Sequence, residues 1–139
     1  MVGGEDEAFH RGEPLLQQMG QSVTRLGPAG SGQRCKLSNQ IAVAIGMVAW
    51  CEALAVAKAS NLDPSAVQDV IRGGAAGSWG LTNLAPRALN EDFKPGFLVR
   101  HLVKDIRLAQ EEADLHGLRL PGLEAVSYTH LRAHETLDH

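Results

Sequence analysis

The sequence predicts a mainly α fold: an all-helical domain with a long central helix, preceded by a strand, a helix and a strand of the kind that ends an α/β sheet. Three observations predict it. From Ser31 to Ala59 no proline interrupts the chain, and between Ile41 and Ala57 apolar residues fall on nearly every helical face. Downstream, one segment after another carries a helix cap, a helical period or a glycine stop. Upstream of Pro28, short apolar runs alternate with glycines around a single helical stretch.

Taken in order, "MVGG" reads as a strand ending in Gly3-Gly4. "EDEAFHRGEPLLQQMG" reads as a helix with acids in its first turn and Gly20 at its stop, and "SVTRLGP" alternates like a strand. Two strands and one helix bury no core of their own, so residues 1–28 are expected to be the end of a larger α/β domain. Residues 29–125 form the helical domain. Its central helix, about 29 residues long against a mean near 11 to 12, has Ser31 available as cap, Lys58 near its C-terminus and Asn61 as its stop. A helix so evenly apolar has to be wrapped by other helices or a second subunit.

"DPSAVQDVIRGG" is expected as the next helix, capped by Asp63, opened by Pro64 and ended by Gly73-Gly74. "SWGLTNLAPRALN" is a short helix kinked or restarted at Pro86, and "DFKPGF" is a turn. In "LVRHLVKDIRLAQEEADLHGLRLPG", Leu98, Leu102, Ile106 and Ala109 share one face before the stop at Gly117.

The 139 residues are 44% hydrophobic and 21% charged with a net charge of -3, a soluble balance without the basic footprint of a nucleic-acid or anionic-membrane binder. Ile41–Ala57 is short of the roughly 20 residues a membrane span needs, and it contains Glu52. Cys35 and Cys51, sixteen positions apart on one helix, stand about 24 Å apart and cannot pair. With no signal peptide and no disulfide framework, the expected compartment is the cytoplasm.

Chemistry concentrates in "GSGQRCKLSNQ". Lys36, Asn39 at i+3 and Gln40 at i+4 share a helix face, and Gly30 and Gly32 let other backbone or a ligand approach just before them. A lysine beside amides at the mouth of a buried helix exchanges protons readily when partly desolvated. The bland reading of the same residues is a solvated lysine with amides capping nearby backbone. Lys104, beside Asp105 and near Arg100 and Arg107, reads by itself as part of a solvated charged face. Trp79 is open between lining a substrate entrance and anchoring the core. His101 and His116 have no metal-ligand partners at useful spacing, and no metal is expected.

Set together, "GPAGSGQRCKLSNQ", "EALAVAKASNLDP", "IRGGAAGSW", "DFKPGF" and "HLVKDIRLA" resemble, in order and spacing, the C-terminal half of the β-hydroxyacid dehydrogenases, which include 2-hydroxy-3-oxopropionate reductases and 3-hydroxyisobutyrate dehydrogenases. Residues 1–28 resemble the last strand, helix and strand of their Rossmann-type nucleotide-binding domain. The resemblance implies hydride transfer between NAD or NADP and a small hydroxy acid or semialdehyde. It makes Lys36, in the family's G-x-G-x-x-x-K pattern, the general acid/base. It assigns the substrate-holding amide to Asn39 or Gln40. It also places Lys104, with Phe97 seven residues earlier, on the cofactor side.

The family's full-length enzymes imply a homo-oligomer. The chain contains no G-x-G-x-x-G dinucleotide fingerprint, so it is expected to be a fragment that is inactive alone. Two other readings stand beside this one. An imine reductase of the same fold is disfavoured because those relatives usually replace the lysine, and a non-catalytic helical module would dimerise through Ile41–Ala57. Finally, "VSYTHLRAHET", from Val126, matches residue by residue the translation of a common transposon-based sequencing adapter. Residues 126–139, with His130, His134 and His139, are therefore expected not to be native, and a histidine-rich metal tail would be a false lead.

Overall fold

The computed structural model describes residues 1–94 and 96–137, with side chains up to Thr129, and seven α-helices lie among them. Pro95, inside the expected "DFKPGF" turn, lies outside the described residues, as do His139 and the side chains of His130 and His134.

The N-terminal strands are the main correction. Among the described residues there is no strand, and the two expected ones meet only in an isolated parallel bridge between Val2 and Arg25. The Val2 N–H donates to Thr24 O at 2.9 Å and the Leu26 N–H to Val2 O at 2.9 Å. The physical reason is that each segment has one neighbour and no third strand, which leaves half its backbone groups to water. Helix α1 (Asp6–Met19) lies between them as expected and buries no residue. This segment crosses the start of the next helix at Gly3. A β-carbon there would stand 2.6 Å from Pro28 O and 2.8 Å from Ser31 N, so only glycine fits.

Helix α2 (Ser31–Ala59) spans the residues the sequence marked out. Gly30, at φ 90, turns the chain into it, and Asn61, at φ 58, turns the chain out. Helix α3 (Pro64–Arg72) starts where its signals place it, with the Asp63 side chain accepting the Ser65 N–H at 3.0 Å. The segment around Pro86 resolves into α4 (Trp79–Asn83) and α5 (Ala85–Leu89), separated at Leu84. Helix α6 (Val99–Leu115) buries Leu102, Ile106, Ala109 and Ala113. Leu98, expected on that face, is instead the N-cap and 39% exposed.

Helix α7 (Pro121–Leu137) carries Leu123 and Val126 into the core. It runs through the segment that matches the adapter translation, where no helix was expected.

Two separate cores line α2. The first joins Ala44 to Leu102, Ile106, Ala109, Leu123 and Val126, with Leu37, Ile41 and Val48 against it. The second joins Leu54, Leu81 and Ala85, flanked by Trp50, Val67, Ile71 and Leu89. On the remaining side of α2, Ile45 and Val56 are exposed, and Val43 is exposed on another face of the helix. By length and composition α2 is apolar enough to cross a membrane, and 22% of its most apolar stretch is buried within the chain. The packing of α3, α4, α6 and α7 along it is that of a core helix with one face left uncovered.

Candidate functional site

The polar residues picked out on α2 lie along its seam with α6. The two helices run antiparallel, because Arg34 pairs with Glu112 and, six residues further along α2, Gln40 reaches Asp105, seven residues back along α6. Leu37 and Ile41 turn inward onto the first core, which brings the face with Lys36, Asn39 and Gln40 to the rim of the seam.

One amide organises the cluster. Gln40 is 5% exposed, and its Oε1 accepts from Lys36 Nζ at 2.9 Å and from Asn39 Nδ2 at 2.9 Å. Its Nε2 donates to Asp105 Oδ2 at 2.7 Å. An ammonium only donates and a carboxylate only accepts, so the amide has one orientation that satisfies both. The other Asp105 oxygen, Oδ1, takes Lys104 Nζ at 2.6 Å. Burial works to raise the Asp105 carboxyl, but the hydrogen bonds from Lys104 and Gln40 and the charges of Lys104 and Lys36 outweigh it and hold the group below the usual aspartate value. The carboxylate is thus a fixed negative charge beneath the amide.

The structure accordingly brings together Lys36, Asn39, Gln40 and Lys104. Both amides contact each other, and the buried one, Gln40, carries the connection to α6. Lys36 and Asn39 are exposed, so the desolvation expected of the lysine is not supplied by this chain alone. Lys36 spends one N–H on Gln40 and keeps two for an oxygen placed above it.

Phe97 is not part of the cluster. It lies seven residues before Lys104, two residues ahead of the start of α6, and its ring stands 5.8 Å from that of His101, one turn before Lys104. Phe97, His101 and Lys104 therefore form one exposed stripe, a flat apolar ring at one end and a cation at the other, which fits a long, flat, anionic cofactor. Trp79 is 71% exposed and is not a core anchor. Its neighbour Gly80 abuts Trp50, about 21 Å along α2 from Lys36, so Trp79 does not join the cluster within one chain.

Asp105 is the residue the sequence reading missed. The signal was present: an acid between Leu102 and Ala109 at helical spacing falls on the edge of the buried stripe, where a solvated charge does not belong. Neither cysteine forms a disulfide, and burial followed by the charge of Glu52 pushes the Cys51 thiol up, away from reactivity. Among the described residues no group of three or more His, Cys, Asp or Glu could hold a metal ion.

Residues 30–139 match the family model described as the NAD-binding domain of NADP-dependent 3-hydroxyisobutyrate dehydrogenase. The chain is 53% identical over 123 residues to YkwC of Bacillus subtilis (strain 168), an uncharacterized oxidoreductase, covering 88% of this chain and 43% of that one. It is 39% identical over 121 residues to the 2-hydroxy-3-oxopropionate reductase of Escherichia coli (strain K12), covering 87% and 41%. The fold superposes on a Mycobacterium tuberculosis 3-hydroxyisobutyrate dehydrogenase, solved with L-serine, with a TM-score of 0.86 at 29% identity, over 95% of this chain and 48% of that one. The chain thus spans less than half the length of the proteins it matches. Helical fold, family model and relatives agree, and the chain belongs to the 3-hydroxyisobutyrate dehydrogenase family of NAD(P)-dependent oxidoreductases.

Proposed function

We propose that this chain serves as the helical part of an NAD(P)-dependent oxidoreductase acting on small hydroxy acids or semialdehydes of the 3-hydroxyisobutyrate or 2-hydroxy-3-oxopropionate type. Lys36 is its general acid/base. The observation that carries the reading is the buried Gln40 amide, locked by Asp105 so that its oxygen faces Lys36. A nicotinamide, when bound, supplies or accepts the hydride. The protein's own task is the proton.

In the reducing direction Lys36 Nζ gives a proton to the carbonyl oxygen as the carbon is reduced, and it takes one from the hydroxyl in the reverse. The Gln40 oxygen keeps the ammonium aimed at the rim of the seam, and Asn39, exposed beside it, offers the substrate an amide. Lys104 meets the cofactor's negative charge while Asp105 holds it from behind, and Phe97 offers its ring surface.

The bare side of α2 supports a homo-oligomer in which a second copy covers Ile45 and Val56. The chain alone has no pyrophosphate-binding glycine loop and is inactive in isolation. The two cysteines, too far apart on α2 to pair, favour a cytoplasmic enzyme. Residues 126–139 are read as non-native on their match to the adapter translation alone. Assay of the complete enzyme with NADH and NADPH on tartronate semialdehyde against a cyclic imine tests the assignment: semialdehyde reduction lost on Lys36→Ala supports it, and imine reduction that survives the substitution refutes it.

A further inference from the structure

Residues 90–94 and 96–98, the described residues between Leu89 and Val99, have no regular structure, and 91–94 and 96–98 are exposed, so packing does not fix their path. A single side chain does. Arg87, on α5, donates from Nε to Asp92 Oδ2 at 3.1 Å and from Nη2 to Lys94 O at 2.7 Å. Its own carbonyl accepts the Asp92 N–H at 2.9 Å, and Asp92 Oδ1 accepts the Lys94 N–H at 3.3 Å. The guanidinium also comes near Gly96, where a β-carbon would stand 3.6 Å from Arg87 Nη1. The next residue is Phe97, whose ring meets His101 on its other side.

We propose that Arg87 is the positioning residue for Phe97: its planar fork sets Asp92 and Lys94 and thereby the ring's place at the end of the stripe that leads to Lys104. A fork with two fixed directions suits this task, since it bonds a carboxylate and a carbonyl at once where a lysine supplies one point charge. The cost of ordering a segment with no buried side chain among its described residues is met by charge-assisted bonds instead of by burial. The inference rests on the assignment of Phe97 and Lys104 to the cofactor side.

The test pairs two readouts. Chymotrypsin cuts after Phe93 and Phe97, which are 75% and 57% exposed, and cleavage there reports local order. Arg87→Ala should speed this cleavage about ten-fold with the thermal midpoint nearly unchanged. In the complete enzyme it should raise the apparent KM for the nicotinamide cofactor roughly five- to ten-fold while kcat stays within about two-fold, and Arg87→Lys should fall between. If Arg87→Ala does not fold, Asp92→Ala removes the carboxylate arm of the clamp from the other side.

Faster cleavage with an unchanged cofactor KM would reduce Arg87 to a structural tie and overturn the inference. Cleavage unaffected by either substitution would overturn it too. Active unsubstituted enzyme with an unmoved KM sinks the inference alone. An unsubstituted enzyme that turns over no NADH or NADPH sinks the functional assignment, and the role of Arg87 falls with it.

Discussion

The two halves of α2 carry two cores of different kinds. The N-terminal half faces α6 and α7 across a core of six buried residues, and along the rim of that core Lys36, Asn39, Gln40, Asp105 and Lys104 satisfy one another in a chain of bonds. The C-terminal half faces α3, α4 and α5 across three buried residues. Its polar groups are structural: Gln68, 5% exposed, donates to Leu81 O at 2.9 Å, and the buried Trp50 Nε1 finds no partner. Where the larger core supports a polar network, every charge in it is answered. The smaller core tolerates an orphan donor and holds no charge. The polar network of this domain sits where packing is firm enough to hold a charge in place, and the far end of the helix acts as its brace.

The largest expected effect concerns the rim itself. In the complete enzyme Lys36→Ala should lower turnover by roughly 10² to 10⁴, the usual worth of a positioned acid/base, with cofactor affinity nearly unchanged. Lys104→Ala should do the opposite, and equal effects of both substitutions on both parameters would dissolve the division between proton transfer and cofactor binding. Next come the cores. Ile106→Ala and Leu81→Ala remove fully buried side chains, each at about 2 to 5 kcal/mol. Ile106→Ala should cost more, because the smaller core collapses more easily around a void. Chemical denaturation that ranks them the other way would undo the contrast.

Gln40→Ala should destabilise by about 1 to 3 kcal/mol, because it leaves a largely buried carboxylate short of a donor. Asp105→Asn should be milder, and restoration of Gln40→Ala stability by adding Asp105→Asn would confirm the coupling. Acid gives a smaller, graded effect. The Asp105 carboxyl lies below its ordinary 3.8 in the folded chain, so its contribution is fully present above that value and is lost as the pH falls through the lower folded value. Denaturant midpoints measured from pH 6 to pH 2 should fall less steeply for Asp105→Asn below about pH 4 than for the unsubstituted chain. Identical slopes would mean the carboxylate contributes nothing. The smallest effect is expected at the brace, where Trp50→Phe removes an unpaired buried N–H and should change stability by less than about 1.5 kcal/mol.

What could be read from the sequence follows from which signals are local. The bounds of α2 and α3 and the position of Pro86 at the start of α5 depend on caps, glycines and prolines within a few residues, and these act alike in any fold. Lys36, Asn39 and Gln40 share a face by helix geometry alone, and the family could be recognised from the spacing of short motifs. Other features were decided only in three dimensions. Pairing of the N-terminal segments needs neighbours supplied from elsewhere in space, and so they meet in one bridge. The choice of Gln40 over Asn39 as the locked amide depends on which of them meets α6, 65 residues away in sequence. The conversion of Asp105 from a surface acid into a held carboxylate likewise depends on its contact with α2. A residue's type fixes what it can bond, but only the packing of α2 against α6 determines which donor stands within 3 Å of which acceptor.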